Sequence, residues 1–267
     1  MPARLSVRLL AVMAFALSVS ACGILPEVKD ETEAWSAQKL YTEAKENLEG
    51  GNYERAVKLF EKLEARYPYG NYAQQAQLEI AYAYYKDNSP PLAVAAADRF
   101  IKLHPNHAAV DYAYYLKGLA NFNEDLGLFG GLVDQDMSER DPRAAREAFA
   151  AFKELATRFP DSKYTPDALA RMKYLVNALA QNEVNVGRYY LKREAWVAAA
   201  ARAKEVVKTY PEAPALEDAL AILIVAYDRM GITDLRDDAR RVLKLNFPDT
   251  RYAEKFEQLE KPWYKFW

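Results

Sequence analysis

Few residues in this chain could carry chemistry, and most of those stand in the wrong company. His104 and His107 form an H-x-x-H pair, a spacing that could present two imidazoles to one metal ion. They straddle Pro105, which ends a helix, and no Cys or acidic cluster stands beside them to complete a ligand set. Asp134, Asp136, Glu139 and Asp141 make an acidic run that could suggest calcium, but the sharp-turn Gly and a bidentate Glu are missing from the needed places. That run reads as a solvated rim or a partner contact. No G-x-S-x-G, Walker or H-E-x-x-H motif occurs. The chain is therefore expected to have no catalytic residues, no metal site and no cofactor, and to be no enzyme. The remaining candidate is Cys22, the single cysteine of 267 residues, which has no partner for an internal disulfide.

The surroundings of Cys22 give it a role. Arg4 and Arg8 form a short basic stretch, followed by an uninterrupted apolar run from Leu9 to Leu17. As a helix that run would span roughly 14 Å, about half of a ~30 Å hydrocarbon core, so it suits a secretory signal and not a membrane anchor. It ends in Val19-Ser20-Ala21-Cys22, which resembles the bacterial lipobox. The resemblance implies cleavage before Cys22 and its acylation with S-diacylglycerol and N-palmitoyl groups. Gly23, where Asp would signal inner-membrane retention, implies sorting to the outer membrane. Each buried CH₂ contributes about 0.8 kcal/mol and stable anchoring takes more than one chain, which a multiply acylated Cys22 would supply. Residues 1–21 are read as signal peptide and 22–33 as a lipidated linker. Removal of residues 1–21 takes two Arg and no acids, so the formal charge becomes 34 − 38 = −4.

The full chain's formal charge of −2, with a pI near 5.9, gives no basic footprint for nucleic acid. Hydrophobic content of 51% with 28% charged residues describes a folded chain, and only ten Gly favour helix. The elements that position any surface must come from repeats. Tyr67-Pro68, His104-Pro105, Phe159-Pro160, Tyr210-Pro211 and Phe247-Pro248 recur at Pro-to-Pro intervals of 37, 55, 51 and 37. Twelve residues before the first four Pro stand Ala56, Ala93, Ala148 and Ala199, and eight residues after them stand Ala76, Ala113, Ala168 and Ala219. Apolar residues between the prolines follow helical spacing, as in Ala56, Leu59, Phe60 and Leu63. Pro closes each helix, because it lacks an N–H and biases the preceding residue away from the α region. Asp141-Pro142 and Thr165-Pro166 each offer an N-cap with Pro at the first helical position. The small residues allow paired helices to approach closely.

This spacing resembles the tetratricopeptide repeat, a helical pair with small residues on both helices and Pro at its end. The fold expected is an all-α tetratricopeptide-repeat superhelix of about five helix pairs. N-terminal repeats would cover 34–160 and C-terminal repeats 161–248, with 249–267 as a C-terminal helix and aromatic tail. The fifth repeat is degenerate, with Arg236 in place of Ala. Two intervals are too long: one excess falls in a loop over 123–141 and the other in a long helix from Pro166 to about Lys192.

In tetratricopeptide solenoids the first helix of each pair lines a concave face. That register places Tyr41, Lys45, Tyr82, Tyr85, Lys86, Tyr112, Tyr115 and Phe122 along one groove. Aromatic anchors with a few cations suit an extended peptide bearing aromatic side chains and a terminal carboxylate. A second surface lies in the C-terminal half, where Trp196 leads an Ala-rich helix carrying Arg202 and Lys204, suited to a partner carboxylate. The tail Lys261-Pro-Trp-Tyr-Lys-Phe-Trp267 holds four aromatics in seven residues, as either a cap over the last helix or a docking segment.

Taken together, the lipobox, Tyr41-x-x-Ala-Lys…Gly51-Asn-Tyr-x-x-Ala56, Tyr67-Pro-Tyr-Gly70, Tyr112-Ala-Tyr-Tyr-Leu-Lys-Gly-Leu-Ala-Asn121, Glu139-Arg-Asp-Pro142 and Arg188-Tyr-Tyr…Ala195-Trp-Val-Ala198 resemble one family. It is the BamD (ComL-type) family of outer-membrane lipoproteins in the β-barrel assembly machine. The resemblance implies a non-enzymatic scaffold, lipid-anchored at the periplasmic face of the outer membrane. Its N-terminal repeats would receive unfolded outer-membrane β-barrel proteins. Its C-terminal repeats would dock BamA near Arg202, with accessory lipoproteins of the BAM complex alongside. The alternative is another envelope lipoprotein of tetratricopeptide type, a pilotin for secretin or pilus assembly or a peptidoglycan-linked adaptor.

Overall fold

In the computed structural model the described residues are 30–123, 142–250 and 252. The expectations that fall on Cys22, the signal segment, the inserted loop beyond Asn123 and the tail from 253 lie outside them. Residues 30–36 belong to a unit of their own, in which the Asp30 carboxylate accepts the Thr32 N–H at 3.0 Å and the Thr32 hydroxyl at 2.7 Å.

From Ala37 the described chain is a run of ten helices with no strand among the described residues: α1 (Ala37–Glu49), α2 (Tyr53–Arg66), α3 (Asn71–Lys86), α4 (Pro90–Leu103), α5 (Val110–Asn123), α6 (Pro142–Arg158), α7 (Thr165–Lys192), α8 (Trp196–Thr209), α9 (Leu216–Arg229) and α10 (Thr233–Asn246). Each helix packs on the next, and first helices α1, α3 and α5, and again α7 and α9, pack side by side. The five expected pairs are present. The long helix α7 is one uninterrupted element of 28 residues.

The eight periodic alanines explain the close packing. Ala56, Ala93, Ala148, Ala199, Ala76, Ala113, Ala168 and Ala219 are all completely buried, each a place where a longer side chain would force helices apart. The five aromatic-Pro steps end the second helices alike: the N–H of Tyr67, His104, Phe159, Tyr210 and Phe247 each donates at 2.8 Å to the carbonyl four residues back. Proline then stops the ladder.

Four of the turns inside the pairs share a signature. Gly51, Asn88, Glu194 and Gly231 have φ of 79°, 53°, 58° and 71°, and each stands 17 residues before its Pro (68 − 51, 105 − 88, 211 − 194, 248 − 231). In all four the next residue's N–H donates back five residues, from Asn52 to Asn47, Ser89 to Tyr84, Ala195 to Tyr190 and Ile232 to Tyr227. This left-handed helix ending is natural for Gly and tolerable for Asn, but it costs Glu about 1 kcal/mol. Glu194→Gly is expected to stabilise the chain by about 0.5–1 kcal/mol, read as a raised urea midpoint.

One helix start differs from expectation. Thr165 is not an N-cap; it is the first residue of α7, preceded by Tyr164 as cap, and Pro166 falls within the first turn. The buried Thr165 hydroxyl donates instead to the Phe159 carbonyl at 2.7 Å, pinning the turn to the end of α6. The degenerate Arg236 is accommodated at the surface, where its guanidinium bonds Asp228 at 2.9 Å and Asp237 at 2.8 Å.

Candidate binding face of the first helices

The face predicted from the repeat register forms three adjoining groups. At the N-terminal end, the Tyr41 hydroxyl donates to Glu79 Oε1 at 3.4 Å and Lys45 Nζ bonds the same oxygen at 3.0 Å, tying α1 to α3. The Tyr41 ring lies 5.5 Å from Tyr72 and meets Phe60 edge-on at 5.7 Å. Burial, reinforced by the Glu79 charge, pushes the Tyr41 phenol up to about 12, so it stays a neutral donor.

In the middle, Tyr82 and Tyr85 lie 6.4 Å apart on α3 and pack with Tyr112 over buried Ala81, Ala97 and Leu116. The Tyr112 ring reaches Tyr164 at 5.3 Å, and burial holds its phenol far above the ordinary range.

At the third group, Tyr115 stacks on Tyr164 at 4.8 Å with 18° between planes, and its hydroxyl donates to Asp167 Oδ2 at 2.7 Å. Arg171 Nε donates to the same oxygen at 2.6 Å. The Arg171 guanidinium lies 4.9 Å from the centre of the Phe122 ring, which also approaches Tyr174 at 5.8 Å. Burial alone would raise the Asp167 carboxyl, but the hydrogen bonds from Arg171 and Tyr115 outweigh it and hold the group below its usual value. Lys86 stands exposed on the last turn of α3, outside these contacts.

Seven of the eight expected residues thus meet along the first helices, together with Tyr72, Glu79, Tyr164, Asp167, Arg171 and Tyr174, which the sequence reading missed. The last four had a signal: at intervals of 3, 4 and 3 residues they form one stripe entering α7. The expected cation Lys45 is already paired with Glu79, and Arg171, which was not expected, with Asp167. What this face offers is chiefly aromatic area, with phenol and guanidinium groups at its margin.

The C-terminal trio is not brought together. Arg202 leans from α8 toward α7, where Glu183 accepts from its Nη1 at 3.1 Å; Arg146 of α6 approaches the other Glu183 oxygen at 3.6 Å. Glu183 itself is 5% exposed. The Glu183 hydrogen bond raises the Arg202 guanidinium above its ordinary value. Trp196 and Lys204 face α9 instead, Trp196 beneath Arg229 at 5.7 Å and Lys204 over Tyr227 at 5.7 Å. The Arg expected to project toward a partner is engaged by a carboxylate nineteen residues away, invisible from local spacing.

The two histidines have structural work. His104 Nε2 bonds Gln77 Oε1 at 2.8 Å, His107 Nδ1 accepts the Ala109 N–H at 3.0 Å, and both rings lie 5.2 Å from Phe100. Burial, with the neighbouring His107, lowers the His104 value, so folding favours its neutral form. That stability is complete above the ordinary pKa of about 6.5 and is lost as pH falls through the depressed folded value. Urea midpoints at pH 7.5 and 5.0 should therefore differ more for the native chain than for His104→Gln.

A row of paired helices with buried small residues where they pack and an aromatic first-helix face defines a protein of helical-repeat class. Residues 33–243 match the YfiO family, described as outer membrane lipoprotein, and the chain belongs to that family. It is 47% identical over 264 residues to the outer membrane protein assembly factor BamD of Neisseria meningitidis serogroup B, covering 97% of this chain and 99% of that one. It is 42% identical over 221 residues to the protein of that name in Xylella fastidiosa (strain Temecula1), covering 83% and 75%. In Vibrio cholerae the corresponding figures are 37% over 225 residues, 84% and 92%. No described helix is long and apolar enough to cross a membrane.

Proposed function

We propose that this chain is an outer-membrane protein assembly factor, a non-enzymatic scaffold held at the periplasmic face of the outer membrane by acyl chains on Cys22. The observation that carries the reading is the aromatic face running from Tyr41 to Tyr174 across four first helices. Unfolded β-barrel segments rich in alternating aromatic residues would lie along it, with their rings on Tyr82, Tyr112, Tyr115 and Phe122. Ordering an extended chain offsets much of such contact energy, so binding is weak and exchangeable, which suits a protein that passes its substrate onward. The names borne by the relatives, outer membrane protein assembly factor, support the same role.

The C-terminal half, through Trp196, Lys204 and the Arg202–Glu183 pair, docks BamA, with accessory BAM lipoproteins in the same complex. A carboxylate of the partner would compete with Glu183 for Arg202. Purification of the lipidated chain from detergent-extracted envelopes through a C-terminal tag should recover a β-barrel protein with periplasmic domains, and its absence would overturn this reading. Depletion separates it from a pilotin: outer-membrane β-barrels should be lost, whereas lost pili with normal barrels would favour the other role.

A further inference from the structure

Of the five aromatic-Pro turns, the first differs from the other four in sequence and in backbone. The residue after Pro is exposed in every one of them. It is Asn106, Asp161, Glu212 and Asp249 in the last four turns, but Tyr69 in the first. A position that faces water throughout is ordinarily polar, yet Tyr69 stands 91% exposed there. Tyr67 and Tyr72 on either side are each 38% exposed, so three accessible rings gather at one turn. The backbone departs as well. His107, Ser162, Ala213 and Thr250, next in the other turns, each donate an N–H at 3.1 Å to the carbonyl of the aromatic residue. Gly70 takes a φ of 100°, a left-handed value that none of those four adopts. Open space surrounds the place of a Cβ at Gly70, so this conformation, and not crowding, calls for glycine.

We propose that the Tyr67-Pro-Tyr-Gly70 turn is the outer lip of the aromatic face, where the Tyr69 ring takes an aromatic side chain of the extended substrate segment. This rests on the reading of that face as the substrate surface. Continuity carries it. Tyr72, the second residue of α3, lies 5.5 Å from Tyr41, and Tyr41 meets the completely buried Phe60 edge-on at 5.7 Å. The exposed rings of the turn therefore adjoin the first group of the face, which is seated on the core through Phe60. Lys45 at this end is held by Glu79 at 3.0 Å, so the turn adds ring area and phenol hydroxyls, not charge. Pro68 restricts the backbone just before Tyr69, which lowers the cost of ordering the ring on binding. A lipid surface is the other chemistry that takes exposed tyrosines, but the contact of Tyr72 with the face residue Tyr41 favours the segment.

Anisotropy of a labelled synthetic β-strand segment with alternating aromatic residues, titrated with the mature chain, tests this. Tyr69→Ala should weaken binding about three- to tenfold, and Tyr69→Phe should bind as the native chain does. A segment with its aromatics replaced by Leu should show no difference between native and Tyr69→Ala chains. Because Tyr69 is 91% exposed, its removal leaves the fold intact, read as an unchanged urea midpoint. Native affinity in Tyr69→Ala, with binding still lost in Tyr112→Ala/Tyr115→Ala, overturns the lip and leaves the face standing. Native affinity in both variants overturns the face and the lip with it. Native affinity in Tyr69→Ala together with weaker sedimentation on phosphatidylethanolamine–phosphatidylglycerol vesicles overturns the lip in favour of a lipid contact. Photocrosslinking gives an independent readout within one molecule. A photoreactive residue at position 69 should capture the segment, and the same residue at the equivalent positions 106 and 161 should not. Equal capture from all three overturns the proposal.

Discussion

Replacing Tyr112 and Tyr115 together by Ala should weaken binding of an unfolded β-barrel segment at least tenfold, with the helical content of the chain retained. Tyr112 packs among Tyr82, Tyr85 and Tyr164, and Tyr115 stacks on Tyr164 at 4.8 Å, so the pair spans the junction of α3, α5 and α7. Aromatic contacts contribute about 0.5–1.5 kcal/mol each beyond the area they bury, and two such losses correspond to roughly a tenfold change or more. Tyr115→Phe separates the two components of this site. It keeps the ring but removes the 2.7 Å bond to Asp167, so affinity within about twofold of native would assign the energy to the aromatic surface. Binding unchanged in the double Ala variant, measured by anisotropy of a labelled segment, would show that substrate lies elsewhere.

The second large effect is on stability. Gly118→Val should cost about 3 kcal/mol, read by urea unfolding, because there is no room for a side chain at that crossing. A Cβ at Gly118 would fall 2.3 to 2.8 Å from three carbons of the Phe152 ring, which is itself completely buried. Phe152 also lies 6.1 Å from Tyr115 and 6.5 Å from Phe122, so displacing it disturbs the floor of the aromatic face. Gly118→Ala should cost about 1–2 kcal/mol, and Phe152→Leu in that background should recover part of the loss, since it removes the ring that the methyl meets. A neutral Gly118→Val would contradict the packing described for α5 and α6.

These two sites show what could be read from the chain alone. The Pro rhythm and the flanking alanines specify helix pairs because steric crowding at crossings and the missing proline N–H act locally, and all eight alanines are buried where the rhythm places them. The first-helix face follows from the same register. Its continuation onto α7 did not, because the long interval before the fourth repeat concealed that Tyr164 occupies the position of Tyr72. The turn inside the pairs was harder to see, since a left-handed residue is Gly at 51 and 231 but Asn at 88 and Glu at 194. Partners across helices were beyond local spacing altogether. Arg202 faces Glu183 and Lys204 faces Tyr227 because helical phase turns the two cations to opposite sides of α8.

The central claim is that unfolded β-barrel protein lies on the first-helix face, and site-specific photocrosslinking in growing cells tests it most directly. A photoreactive residue at Tyr82, Tyr115 or Tyr174 should capture newly exported β-barrel proteins, while the same residue at Leu92 or Leu103 of the second helix α4 should capture none. Equal capture from both sets of positions, or capture only from α4, would contradict the account.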